Sequence, residues 1–144
     1  MYDLDRFIYS QEGIYPKILD ELRDGRKRRH WMWYIFPQIK GLGKTAKCKK
    51  FELSNLEEAK AYYKHPVLGS RLRDCTSLVN KIADRRIRQI FSYPDDLKFR
   101  SCMTLFEKVS GDGIFSRGLI KYYDGERDRL TLDILEEQEN GWTW

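Results

Sequence analysis

Apolar residues recur three and four positions apart along almost the whole chain, and glycine, proline and capping residues fall between these stretches. Only a helical fold buries such a pattern on one side of each element. Leu4, Phe7 and Ile8 share a face before Gly13, and Asp3 is placed to cap a helix through Gln11. Ile14, Ile18, Leu19 and Leu22 predict a second helix to Asp24, ended by Gly25. Thr45 to Leu53 reads as a short basic helix, and Ser54-Asn55-Leu56-Glu57 as a capping box for a helix to Lys64. His65-Pro66 opens the next, which runs to about Ile82, and Ile87 to Phe91 forms a turn. Pro94, Asp95 and Asp96 start a long helix to Val109, with carboxylates at the positive end of its dipole. Asp112 caps Gly113 to Tyr123, and Asp128 caps a last helix through Glu137. No segment alternates over the length of a strand. The expectation is an all-α fold, a compact multihelical single domain spanning 1–144, with about seven to nine helices and little or no sheet.

The densest aromatic stretch runs from His30 to Gln38, His-Trp-Met-Trp-Tyr-Ile-Phe-Pro-Gln. Aromatic rings bury large areas, and the Trp N–H and Tyr O–H need polar partners, so this stretch is core, pocket wall or both. Trp31 and Trp33 are two apart and point about 160° from each other on a helix. One is therefore expected in the core and the other at a pocket or surface.

A hydrophobic fraction of 41% and an aromatic fraction of 14% exclude a disordered chain. The longest apolar run, Trp31 to Pro37, is far short of the roughly 20 residues a membrane span needs. The acidic, amphipathic start has no basic segment followed by an apolar core, so no signal peptide is expected. Cys48, Cys75 and Cys102 form no C-x-x-C pair and read as reduced thiols of a cytoplasmic protein; neither a metal site nor a cofactor is expected. The net charge of +5 gathers in two runs, Arg23–Arg29 and Lys44–Lys50. Solvated surface is the plain reading of both, and nucleic-acid or phosphate contact the sharper one.

Several polar residues fall on the inner faces. At 100° per residue, Phe99, Cys102, Met103, Leu105, Phe106 and Val109 form one arc, and Lys98 lies inside it. Arg71 lies inside the arc of Val67, Leu68, Leu72, Cys75, Leu78, Val79 and Ile82, and Gln11 inside that of the first helix. Each has a structural account: a lysine that snorkels out or pairs with a carboxylate, a buried arginine–carboxylate pair, a core hydrogen bond. Together they point to a polar cavity. Gly69 permits close approach of another backbone. His65, before Pro66, is expected to cap backbone, whereas a partly buried His30 beside two tryptophans is an acid–base candidate. Gly43-Lys44-Thr45 lacks the earlier glycine and the βαβ context of a phosphate-binding loop, since position 38 is Gln38. The candidate catalytic residues are His30 and Lys98, and the candidate ligand-binding residues are Trp31, Trp33, Gln38, Arg71 and Gln11.

The segments Asp3-Leu4-Asp5-Arg6-Phe7, His30 to Gln38, Gly41-Leu42-Gly43, His65-Pro66-Val67-Leu68-Gly69 and Asp96 to Phe106 resemble the bacterial family catalogued as domain of unknown function 1810. The likeness extends from about residue 3 to 136, leaving the tail 139–144 outside the pattern. It implies a compact helical, stand-alone cytoplasmic protein and transfers no activity, ligand or catalytic residue. Some members carry the label calpastatin, but calpastatin-type inhibitors are disordered and poor in aromatics, unlike this chain. A fainter likeness to families associated with NAD and ADP-ribose pairs a Trp-rich segment with a helical Lys/Met segment. Three functions follow as expectations. The first is a small-ligand-binding or enzymatic domain with an aromatic, cationic pocket for an anionic, nucleotide or ADP-ribose-like molecule. The second is a nucleic-acid-binding module using residues 23–29 and 44–50. The third is a non-enzymatic protein-interaction domain.

Overall fold

The caps and apolar arcs give ten helical segments in the computed structural model, which describes residues 2–141. They are α1 (Asp5–Gln11), α2 (Tyr15–Arg23), α3 (Met32–Ile35), α4 (Ala46–Phe51), α5 (Leu56–Lys64), α6 (Leu68–Lys81), α7 (Ile87–Ile90), α8 (Asp95–Ser110), α9 (Gly113–Tyr123) and α10 (Arg129–Glu139). The fold is all-α, as the periodicity predicts. The count exceeds seven to nine because the aromatic segment contributes the one-turn helix α3. No strand occurs among the described residues; a single parallel bridge joins Ile39 to Leu53.

Helix α8 is the central element. Phe99, Cys102, Met103, Leu105 and Phe106 are all fully buried, and the helix packs against α5, α7, α9 and α10. Helix α6 packs against α2, α5 and α9 and buries Leu72, Cys75 and Val79. Edge-to-face rings tie the aromatic segment to this core: Phe36 meets Phe99 at 5.0 Å and Phe91 at 5.9 Å. The approach allowed by Gly69 is to the preceding helix, since a Cβ at Gly69 would lie 1.9 Å from the carbonyl oxygen of Tyr63.

The capping expectations are met at three helices and changed at two. The side chains of Asp112 and Asp128 accept from the backbone N–H of Ile114 and Thr131; Thr45, for which no cap was expected, accepts from that of Cys48. His65 Nδ1 accepts from the N–H groups of Val67 and Leu68, the backbone role expected of it. Asp3 caps nothing; Leu4 occupies the N-cap of α1. The box before α5 is displaced by one residue. Asn55 caps Glu58 N–H, and Glu58 reaches back to accept from the N–H and hydroxyl of Ser54. Glu58 also pairs with Arg6 at 2.9 Å, a partner 52 residues away that local pattern does not reveal.

No described helix is long and apolar enough to cross a membrane.

Candidate functional site

The aromatic segment has two differently built ends. Trp31 is fully buried, and its Nε1 donates to Glu21 Oε1 at 3.0 Å. The same carboxylate accepts from Arg28 N–H at 2.6 Å, Arg29 N–H at 3.0 Å and the Arg29 guanidinium at 2.7 Å. Burial alone would raise the Glu21 pKa; these four donors override it and hold the carboxyl at about 2. Trp31 is thus the core member of the pair and not the ligand contact considered for it.

Trp33 is only partly buried, and its Nε1 is enclosed without a hydrogen-bond partner among the described residues. Two lysines lie over its ring, Lys47 at 5.3 Å and Lys98 at 5.1 Å. Lys98 also approaches Asp95 at 3.4 Å, but Asp95 already pairs with the nearly buried Lys27 at 2.9 Å. One carboxylate therefore serves two ammonium groups. Lys98 borders a groove of about 330 Å³ between residues 38–48, the first turns of α8 and the start of α10. Gln38, Cys48, Arg100 and Ser101 share that groove, with Leu97 and Leu130 as apolar wall. Arg100 sequence reasoning missed, since its position on the wheel gave no signal beyond a surface cation. Its Nε is enclosed without a partner, and its terminal nitrogens stand 3.8 Å from Asp128 and 3.9 Å from Glu126, beyond hydrogen-bond reach.

The remaining candidates lie elsewhere. His30 is exposed on the link into α3, which corrects the partly buried environment expected for it, and it does not border the groove of Lys98. The chain turns inward only at Trp31, whose bond to Glu21 leaves His30 outside. Gln11 and Arg71, 60 residues apart, meet: Arg71 donates to Gln11 Oε1 at 3.0 Å, while Gln11 Nε2 donates to the Tyr34 carbonyl at 2.7 Å. The arginine–carboxylate pair considered for Arg71 is replaced by this amide and by the Tyr15 ring, 4.5 Å away. Gln11 is a satisfied core amide; it and Arg71 form a knot separate from the groove.

The basic runs also differ. Arg23, Lys27, Arg28 and Arg29 each pair with a carboxylate, whereas Lys44, Lys47, Lys49 and Lys50 pair with none among the described residues. The Gly43-Lys44-Thr45 stretch supplies the cap of the six-residue helix α4 and follows no strand, as its departure from a phosphate-binding loop predicts.

No curated protein is significantly similar to the chain. Among solved structures it is similar to the crystal structure of the conserved hypothetical protein Rv1873 from Mycobacterium tuberculosis. The two share 48% identity and superpose with a TM-score of 0.93, over 94% of this chain and 97% of that one. A family model described as "Protein of unknown function (DUF1810)" matches residues 1–135, so the chain belongs to the DUF1810 family.

Proposed function

We propose that the groove bounded by Gln38, Lys98 and Arg100 binds an anionic small molecule, with Lys98 and Arg100 taking its phosphate or carboxylate charge. One observation carries this reading: Arg100 is three-quarters buried yet has no hydrogen-bonded carboxylate, in a groove whose other cation shares its counter-ion with Lys27. A guanidinium so placed is preorganised for a bidentate oxyanion. The groove's volume is at the lower end of ligand sites. A nucleotide or ADP-ribose-like molecule would seat its phosphates there and extend beyond it. Trp33 supports Lys98 through its ring face in place of stacking on a base. Since His30 lies outside, no acid–base pair is assigned.

The test is a thermal-shift and calorimetric titration with pyrophosphate, AMP and ADP-ribose. Wild-type protein should be stabilised by about 2.7 kcal/mol at 100 times Kd, and Lys98→Met should lose that stabilisation while folding normally. Absence of binding by all three, or equal binding by the variant, overturns the reading. A second reading, nucleic-acid binding, is favoured by the unpaired lysines of 44–50 alone. It requires affinity that falls steeply with salt and with Lys44→Glu/Lys49→Glu.

A further inference from the structure

A cavity of about 520 Å³ lies on the other side of the first turn of α8, and Leu97 walls both it and the groove. Its rim carries Arg85, Arg86 and Arg88, a cluster that sequence reading passed over because Ile87 interrupts it. Arg85 and Arg86 are exposed and pair with no carboxylate among the described residues. Behind them Asp96 is 4% exposed. Its Oδ2 accepts from Arg88 Nε at 3.1 Å, and its main-chain oxygen from the Tyr123 hydroxyl at 2.5 Å. The other carboxylate oxygen, Oδ1, is enclosed and has no partner among the described residues. A buried carboxylate oxygen without a donor is costly, and a donor from outside would remove that cost.

Arginines at the rim and a lone acceptor behind them select a ligand with two features, an oxyanion and a neutral hydrogen-bond donor. We infer that this cavity is a second binding site, for a sugar phosphate or a similar phosphorylated polyol. The phosphate lies on Arg85 and Arg86, and a ligand hydroxyl donates to Asp96 Oδ1. Arg88, already committed to Asp96, holds the carboxylate in place, so it is a positioning residue. Tyr122 and Tyr123, which also border the cavity, have their hydroxyls committed to the Val79 and Asp96 carbonyls and offer ring surface to the sugar. Lys121 is spent on the carbonyls of Asn80 and Ile82 and contributes charge only at a distance.

Calorimetry with ribose 5-phosphate, ribose and inorganic phosphate separates the two contacts. Wild-type protein should bind ribose 5-phosphate more tightly than phosphate, and ribose not measurably. Arg85→Ala/Arg86→Ala changes exposed side chains only and should weaken ribose 5-phosphate by at least about tenfold. Asp96→Asn keeps an oxygen for Arg88 and turns the free acceptor into an amide donor. It should reduce ribose 5-phosphate affinity by about tenfold and leave phosphate affinity unchanged. In a Lys98→Met background, which removes a phosphate contact of the groove, Arg85→Ala/Arg86→Ala should still weaken ribose 5-phosphate by the same factor, which separates this site from the groove. The inference is overturned if wild-type protein does not bind ribose 5-phosphate, if the double variant binds it equally, or if Asp96→Asn affects sugar phosphate and phosphate alike. Saturable binding of a short single-stranded RNA without binding of ribose 5-phosphate also overturns it and assigns the arginines to nucleic acid. Should Asp96→Asn fail to fold by circular dichroism, the arginine variant decides.

Discussion

The two tryptophans of the aromatic segment are two residues apart, and their surroundings are opposites. Around Trp31 every polar group is answered: one carboxylate, four donors, and an indole N–H among them. Around Trp33 the indole N–H is unanswered among the described residues, and two lysines share the ring face, one of which borders the groove where Arg100 Nε is likewise unanswered. The first region spends its charges on holding the fold. The second keeps cations whose carboxylate contacts are long or shared. Buried polar groups are usually satisfied, so the incomplete region is where an external partner is expected, and the complete region shows what the same residue types do when their role is internal.

The sharpest test of this contrast is truncation of each indole. Trp31→Ala should cost about 3–5 kcal/mol in urea unfolding, because it opens a core void and strands part of the Glu21 carboxylate. Trp33→Ala should cost about 1–2 kcal/mol, since its ring is only partly buried. Equal losses would erase the distinction.

Acid titration ranks next. The Glu21 carboxyl falls from 4.5 to about 2 in the folded protein. A lowered folded pKa stabilises the native state above the unfolded value, and that contribution is lost as pH falls from about 4.5 toward 2. The effect at neutral pH is about 3 kcal/mol. Donors also lower the carboxyls of Glu58, against its burial, and of Glu107, where Arg127 is the main cause, so they act in the same direction. Glu21→Gln should therefore be less stable than wild type at pH 7 and approach it at pH 3. A constant gap between the two curves would show that the carboxylate's charge is unimportant there.

Smaller still is the effect of Lys98→Met, which should change stability by less than about 1 kcal/mol, because Asp95 keeps Lys27 as partner. A loss of about 3–5 kcal/mol with no change in any ligand titration would make Lys98 a structural cation. The smallest change is expected from Lys44→Glu/Lys49→Glu, within about 0.5 kcal/mol, since both lysines are exposed and unpaired.

The divergence of Trp31 and Trp33 was legible from their spacing of two, although Trp31 is the N-cap of α3 and lies outside the helix. Caps at Asp112 and Asp128 were legible because each acts within three residues. The inward turn of Gln11 and Arg71 could be read from their arcs, but their mutual bond spans 60 residues and could not. Glu21 falls on a helix whose pattern marks it as an ordinary surface acid, so nothing local announced the four donors that converge on it. Asp96 was read as a dipole partner at the start of α8. That explains its presence there but not its burial, which depends on Tyr123 and Arg88 from other elements. His30 was misjudged because neighbouring tryptophans suggested enclosure, whereas the chain turns inward only at the next residue.

The bridge between Ile39 and Leu53 is held by two backbone bonds, Leu53 N–H to the Gln38 carbonyl at 2.9 Å and Lys40 N–H to the Leu53 carbonyl at 2.8 Å. It fastens both ends of the excursion that carries Gly43 and Cys48 along one side of the groove. That excursion is therefore a loop closed at its base. In deuterium exchange the amides of Lys40 and Leu53 should behave as one pair, slow and matched in rate. If the groove opens by release of the clasp, they should quicken together while the amides in the middle of α8 stay protected.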